Sequence, residues 1–240
     1  MIVLKREYKI NSSILKSKKN ILKHKNYYIS NRFKNFEALD SIKGYTKLEY
    51  LQKRIIDFIF SIPLFILALP IMLYSAYRIK KESPDDGIFF IQNRVGIDGK
   101  TFKCIKFRSM RTDIDYFNKY TQEDDPRIFP WGKIMRKTRI DELPQLFNVL
   151  KGDMHFIGPR AEWDILVKEY ENKIPNYNLR HKVKPGITGL AQVEYHYGAN
   201  LEDTKQKLMY DLYYIKNWSI WLEIKIFIKT ILVVFGKKGQ

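Results

Sequence analysis

Residues 55–77 read IIDFIFSIPLFILALPIMLYSAY, and the way this run meets lipid decides the fold. It carries no charge from Phe58 to Tyr74, close to the lower limit of roughly 17–25 residues for crossing a bilayer. Pro63 and Pro70 interrupt it; each removes a backbone donor and can bend a helix. Lys53 and Arg54 precede the run, and Arg78, Lys80 and Lys81 follow it. A spanning helix keeps its Lys/Arg excess on the cytoplasmic side, yet here both flanks are basic. A bent helix that enters and leaves one leaflet satisfies both flanks. A single span and a buried soluble helix stand open beside it. Asp57 needs a partner at that depth, and Lys53 and Arg54 lie within one turn of it.

The chain has 240 residues and a formal net charge of +17. Such a charge seeks anionic partners: nucleic acid, anionic lipid or phosphorylated substrates. Cys104 is the single cysteine, which excludes an internal disulfide and argues against a thiolate metal site. The histidines (His24, His155, His181, His196) show no metal-ligand spacing. Residues 1–10 hold no apolar stretch of leader length. Residues 1–52 read as a basic extension held near anionic lipid, or equally as a solvated tail.

Beyond Lys81, Ile88–Gln92 and Thr101–Phe107 read as strands joined by a turn at Gly96–Gly99. Thr121–Pro130 reads as a loop. Glu142–Lys151 reads as a short helix with Asp141 as N-cap, Pro144 in its first turn and Gly152 as its stop. Glu162–Asn172 and Leu201–Asn217 look helical, and Lys184–Gln192 reads as a turn with a short extended piece. Ser219–Phe235 is a very apolar helix opening with Trp218 and Trp221. It suits an interfacial helix on a membrane, with a docked core helix as the alternative.

The chemistry centres on Thr138–Gly152, TRIDELPQLFNVLKG, with its adjacent acids Asp141 and Glu142. A carboxylate can attack phosphorus to form an acyl phosphate, and a second one beside it can hold Mg²⁺. The plainer reading makes Asp141 a helix cap and Glu142 a first-turn acid. Arg94, Lys106, Arg108, Arg127, Arg136 and Arg160 surround the pair in sequence. Arginine suits phosphate because its planar fork bonds two oxygens at once. Arg160 follows Gly158-Pro159, a rigid turn. No glycine-rich nucleotide-binding motif is present.

Together these segments resemble one family, the bacterial polyprenyl-phosphate sugar-1-phosphate transferases, also called monotopic phosphoglycosyl transferases. The matching pieces are Lys53-Arg54 with Asp57 and Ser61, then Phe89–Met110, then Asp125-Pro126-Arg127. Asp141–Met154, Gly158-Pro159-Arg160, Pro185–Gly189 and Tyr210–Ile226 follow in family order. The resemblance covers the chain from about Lys53 to its C-terminus.

The resemblance implies a mixed α/β fold, mainly helical with a small β element, in which a re-entrant membrane helix carries a compact cytosolic catalytic domain. The implied division is a basic extension at 1–52, the membrane helix at 53–81, the catalytic domain at 82–217 and an interfacial helix at 218–240. Asp141 matches the nucleophile, Glu142 its acidic partner at a Mg²⁺ site, and Lys106, Arg108, Arg127 and Arg160 the phosphate pocket. Pro70 matches the proline that breaks the membrane helix, although Leu69 stands where the family commonly has serine. The implied reaction takes a sugar-1-phosphate from a UDP-sugar to polyprenyl (undecaprenyl) phosphate through an aspartyl intermediate, releasing UMP, in exopolysaccharide or other surface glycan synthesis. The implied setting is the bacterial inner membrane with its lipids, with no nucleic acid, and homo-oligomerisation left open. A membrane-anchored nucleic-acid binder and a non-catalytic scaffold are the competing classes; the basic residues form no single stripe interleaved with exposed aromatics, which disfavours the first.

Overall fold

The computed structural model describes residues 42–114, 125–195 and 200–235. Most of the expected 1–52 extension, part of the expected loop at 121–130, residues 196–199 and residues 236–240 lie outside them. The described part is mostly helical, with two small two-stranded sheets.

Helix α1 runs from Lys47 to Glu82, 36 residues. A capping box starts it: the Thr46 side chain accepts from the Glu49 amide, and the Glu49 carboxylate accepts from the Thr46 amide. The helix thus begins six residues before the boundary expected at 53. Helical structure continues through Pro63 and Pro70, so Pro70 does not end it. Its buried residues, Lys53, Asp57, Ser61, Ala68, Met72, Ser75 and Ile79, recur every three, four or seven positions and form one face. That face rests on the folded domain along the helix. Phe60 stacks on Phe227 and Phe65 meets Phe147 edge-on. Ala68, Met72 and Ile79 join Phe107, Phe129, Trp131 and Met135 in a core cluster.

The opposite face of α1 is apolar and open, with Leu67 78% and Leu73 64% exposed. Only 22% of its most apolar window is buried within the chain, so α1 is not a core helix of this fold. Pro63 and Pro70 both lie on this open face.

Strands β1 (Phe89–Val95) and β2 (Thr101–Phe107) form the expected antiparallel hairpin, with Phe89 opposite Phe107. Helix α2 (Pro130–Thr138) was not foreseen; Glu82 at the end of α1 caps it by accepting from the Trp131 amide at 2.7 Å. Helix α3 (Gln145–Lys151) stops at Gly152, whose φ of 93° is left-handed. Asp141 is not its N-cap. Pro144 occupies that place, and Asp141 sits earlier, in a 3₁₀ turn at Ile140–Glu142.

Strand β3 (His155–Ile157) pairs in parallel with β4 (Gly186–Thr188). A Cβ on Gly186 would lie 2.1 Å from the Gly158 nitrogen, so only glycine permits this close approach. Helix α4 (Asp164–Lys173), a 3₁₀ segment at Tyr177–Lys182 and helices α5 (Leu190–Glu194), α6 (Leu201–Lys216) and α7 (Ile220–Phe235) complete the order.

Helix α7 is docked on one side and open on the other. Glu223 and Ile226 are fully buried, whereas Trp221 is 81% and Leu232 64% exposed.

Candidate functional site

Two elements of β and α origin converge on the turn at Ile140–Glu142. Arg139, just before it, takes φ 61°, ψ 15°, a left-handed conformation uncommon for a residue with a Cβ. That turn redirects the chain from α2 toward the acids. Ile140 and Leu143, on either side of them, pack against the core cluster that holds Ala68 and Met72 of α1. The acidic pair is therefore flanked by side chains seated in the same core cluster that α1 joins.

Glu142 is buried. Its Oε1 accepts from Lys106 Nζ on β2 at 2.8 Å and from Arg160 Nη2 at 3.0 Å. Burial alone would raise its pKa, but the Lys106 and Arg160 charges outweigh burial and hold the carboxyl well below its usual range. Asp141 differs. Its Oδ1 is buried with no hydrogen-bond partner. Burial first, then the neighbouring Glu142 charge, push it up to about 6 against the pull of Lys106, Arg136 and Arg139. Two adjacent carboxyls are thus driven apart in acidity, the pattern of groups with different tasks.

The structure joins four of the anticipated residues: Asp141, Glu142, Lys106 and Arg160. Arg108 bonds main-chain and hydroxyl oxygens instead. Its guanidinium bonds Gly87 O, Ser83 Oγ and Ser83 O, each at 2.6 Å, and more weakly Asp86 O and Met110 O. These oxygens belong to Ser83 at the C-cap of α1, to the Asp86-Gly87 turn beyond it and to Met110 after β2. Arg127 grips Asp125 through Nε at 3.0 Å and Nη2 at 2.8 Å. Arg94 donates to the Ala161 carbonyl at 2.6 Å.

Magnesium commonly takes one or two carboxylates and completes its shell with water and substrate phosphate. No group of three or more His, Cys, Asp or Glu suited to a metal stands among the described residues, so a cage built from protein alone is not formed there. Two adjacent carboxyls, one with a buried oxygen lacking any partner, fit an ion completed by substrate.

Sequence reasoning missed Arg180 and Asp211. Arg180 Nε and Nη2 reach Asp211 Oδ2 at 3.0 and 2.8 Å, and Nη2 also donates to the Arg160 carbonyl at 2.8 Å. The available signal was Asp211 itself, an acid among the buried Leu208, Tyr210, Leu212, Tyr214 and Ile215 of α6; a charge there demands a buried partner. Lys53 also differs from expectation. It leaves Asp57 to Arg54 and His155 and pairs instead with Glu223 of α7 at 2.8 Å.

Residues 48–237 match the family model described as bacterial sugar transferase. Over 182 residues, 75% of this chain and 42% of the relative, the sequence is 47% identical to the UDP-N-acetylgalactosamine-undecaprenyl-phosphate N-acetylgalactosaminephosphotransferase of Aeromonas hydrophila. It is 44% identical over 191 residues to the UDP-glucose:undecaprenyl-phosphate glucose-1-phosphate transferase of Klebsiella pneumoniae, covering 78% of this chain and 41% of that protein. A like-named protein of Caulobacter vibrioides is 39% identical over 75% of this chain and 68% of its own length. The chain spans about two fifths of the first two relatives.

Proposed function

Because this chain belongs to the bacterial sugar transferase family, we propose that it moves a sugar-1-phosphate from a UDP-sugar to polyprenyl phosphate, with Asp141 as nucleophile. The observation that carries this reading is the split acidic pair: an unpartnered Asp141 oxygen beside a Glu142 locked to two cations. At neutral pH an acid with a pKa of about 6 is mostly ionised and still basic enough to attack.

In the first step an Asp141 oxygen bonds to the β-phosphorus and the phosphoanhydride bond to UMP breaks, so UMP leaves with that electron pair. In the second step a phosphate oxygen of the lipid attacks the same phosphorus. The acyl-phosphate bond breaks and the Asp141 carboxylate returns. One anhydride replaces another, so catalysis rests on position and charge neutralisation. Arg160 and Lys106 hold Glu142 ionised, and Arg136 and Arg139 supply positive charge beside Asp141. Glu142 would hold Mg²⁺, which when bound offsets charge on the diphosphate.

The helix arrangement supports action at a membrane surface. Near its start α1 is tied to β3 and α7 through Asp57 and Lys53. At its end it is tied to α2 through Glu82, and its C-cap Ser83 is bonded by Arg108, the residue after β2. A helix fastened at both ends to one domain keeps both ends on one side of a bilayer. Prolines on the open face favour bowing toward the domain, because each ring pushes off the carbonyl four residues earlier. We read α1 as entering and leaving the cytoplasmic leaflet of the inner membrane, with the open face of α7 beside it in the interface.

The test is to supply labelled UDP-sugar without lipid acceptor and map the adduct by mass spectrometry. An adduct on Asp141 is expected, and Asp141→Asn should lose both the adduct and at least about a thousandfold in UMP release. Normal UMP release by that variant would sink the assignment. The relatives are named for different sugars, so a panel of UDP-sugars assigns the donor. Chelation should stop UMP release and added Mg²⁺ restore it.

A further inference from the structure

The segment that carries Arg160 presents four consecutive carbonyls, and each is held by a different donor. Pro159 O accepts from the Gly186 amide at 2.9 Å and Glu162 O from the Val95 amide at 3.0 Å. Between them, Arg160 O accepts from Arg180 Nη2 at 2.8 Å and Ala161 O from Arg94 Nη1 at 2.6 Å. The outer two donors are main chain. The inner two are guanidinium groups, one of them on a residue that is only 5% exposed.

Burying a guanidinium is costly unless it is paired and hydrogen-bonded. Arg180 meets both conditions. Asp211 Oδ2 accepts from its Nε and Nη2, and Tyr177 Oη accepts from its Nη1 at 3.0 Å. The Tyr177 ring lies beneath the charge at 5.2 Å. This assembly delivers one donor to the carbonyl of the residue whose own side chain reaches Glu142 at 3.0 Å. Fixing Arg160 at the carbonyl limits the arcs its long side chain sweeps.

We propose that Arg180, seated by Asp211 and Tyr177, is a positioning residue that holds Arg160 against Glu142, with Arg94 as a second clamp on the next carbonyl. The proposal rests on the reading of Asp141 and Glu142 as the reacting pair. Arg180 acts through Arg160 and touches no substrate.

A double-mutant cycle separates positioning from mere support. Arg180→Met is combined with Asp211→Leu, so that neither charge is left buried alone. Single-turnover adduct formation is then measured in the native and Arg160→Ala backgrounds, on protein whose folded fraction has been checked by thermal melting. In the native background the paired replacement should slow adduct formation about 10–100-fold, the size of a small misplacement of a catalytic group. In the Arg160→Ala background it should cost less than about twofold more, because the residue it positions is gone. Equal losses in both backgrounds would overturn the proposal. Arg94→Met should show the same pattern more weakly. Deuterium exchange of the segment 158–162 gives an activity-free reading: exchange should quicken in the paired replacement, and unchanged exchange refutes the clamp. If the wild-type protein forms no adduct at all, the reaction assigned to Asp141 fails, while the exchange experiment still judges the clamp.

Discussion

At the scale of single residues, environment decides what each group can do. Asp141 lies beside Glu142, Lys106, Arg136 and Arg139, and burial dominates the balance. With Asp141 as the proposed nucleophile, the protonated form cannot attack, so the rate should rise with pH as Asp141 ionises. The profile of kcat/KM for UMP release, which reports the free enzyme, should show its acid limb near pH 6. Arg136→Ala removes a downward pull and should move that limb to higher pH; an unmoved limb would mean another group controls it. The family resemblance grouped Glu142, Lys106 and Arg160, and the structure brings the three into contact. The surroundings of Arg108 were not legible: a guanidinium fork recognises oxygens, and main-chain carbonyls such as those of Ser83 and Gly87 present them as a phosphate does. The sequence names the fork but not the oxygens it meets. Nor could it show Arg139 in a left-handed conformation, which has no compositional mark in a long polar side chain.

At the scale of elements, buried polar links decide how the pieces dock. Lys53 Nζ is fully buried and donates to Ile157 O at 2.6 Å, Tyr214 Oη at 3.0 Å and Glu223 Oε2 at 2.8 Å. Trp218 Nε1 and Tyr214 Oη both donate to Glu223 Oε1. One ammonium thus joins α1, β3, α6 and α7. Lys53→Met would leave the Glu223 carboxylate buried without its cation, a loss of about 3–5 kcal/mol. Adding Glu223→Leu should recover most of that loss, measured as denaturation midpoints in detergent. A double variant as unstable as the sum of the singles would show that the two charges are not coupled. Asp57 is held similarly, by the Phe156 amide at 2.8 Å, by Arg54 at 3.2 Å and by His155 Nδ1 at 2.6 Å; burial pushes that histidine down to about 4, which keeps the ring neutral. The β1–β2 hairpin, α6 and α7 could be read from periodicity and turn residues within one to three positions. Helix α2 could not, because nine residues with Phe129 as cap and no side-chain cap bond give a pattern too short to stand out. It is held by the burial of Trp131 and Met135 and by a cap from Glu82, 49 positions from Trp131 along the chain.

At the scale of the whole molecule, the proposed membrane topology rests on the geometry of α1. A straight helix of 36 residues is about 54 Å long, well beyond the roughly 30 Å of a hydrocarbon core. Were it a span, one end would have to leave the domain and carry its basic flank through lipid. Instead Lys53 at one end and Glu82 at the other are both bonded into the same fold, and the open face between them is apolar. The two flanks should therefore be reachable from one side only. Cys104 is the single cysteine and is buried, so a cysteine introduced at exposed Lys47 or at exposed Lys81 reports its own position. In intact cells a membrane-impermeant maleimide should label neither, and in inverted membrane vesicles it should label both. Labelling of one position in each preparation would establish a span and remove the geometry on which a headgroup-level reaction depends. A charge on the open face gives an independent reading. Leu67→Arg should weaken membrane retention by about 2.5–3.5 kcal/mol if that position reaches the hydrocarbon, while Lys81→Ala, outside the apolar stretch, should leave retention within about tenfold.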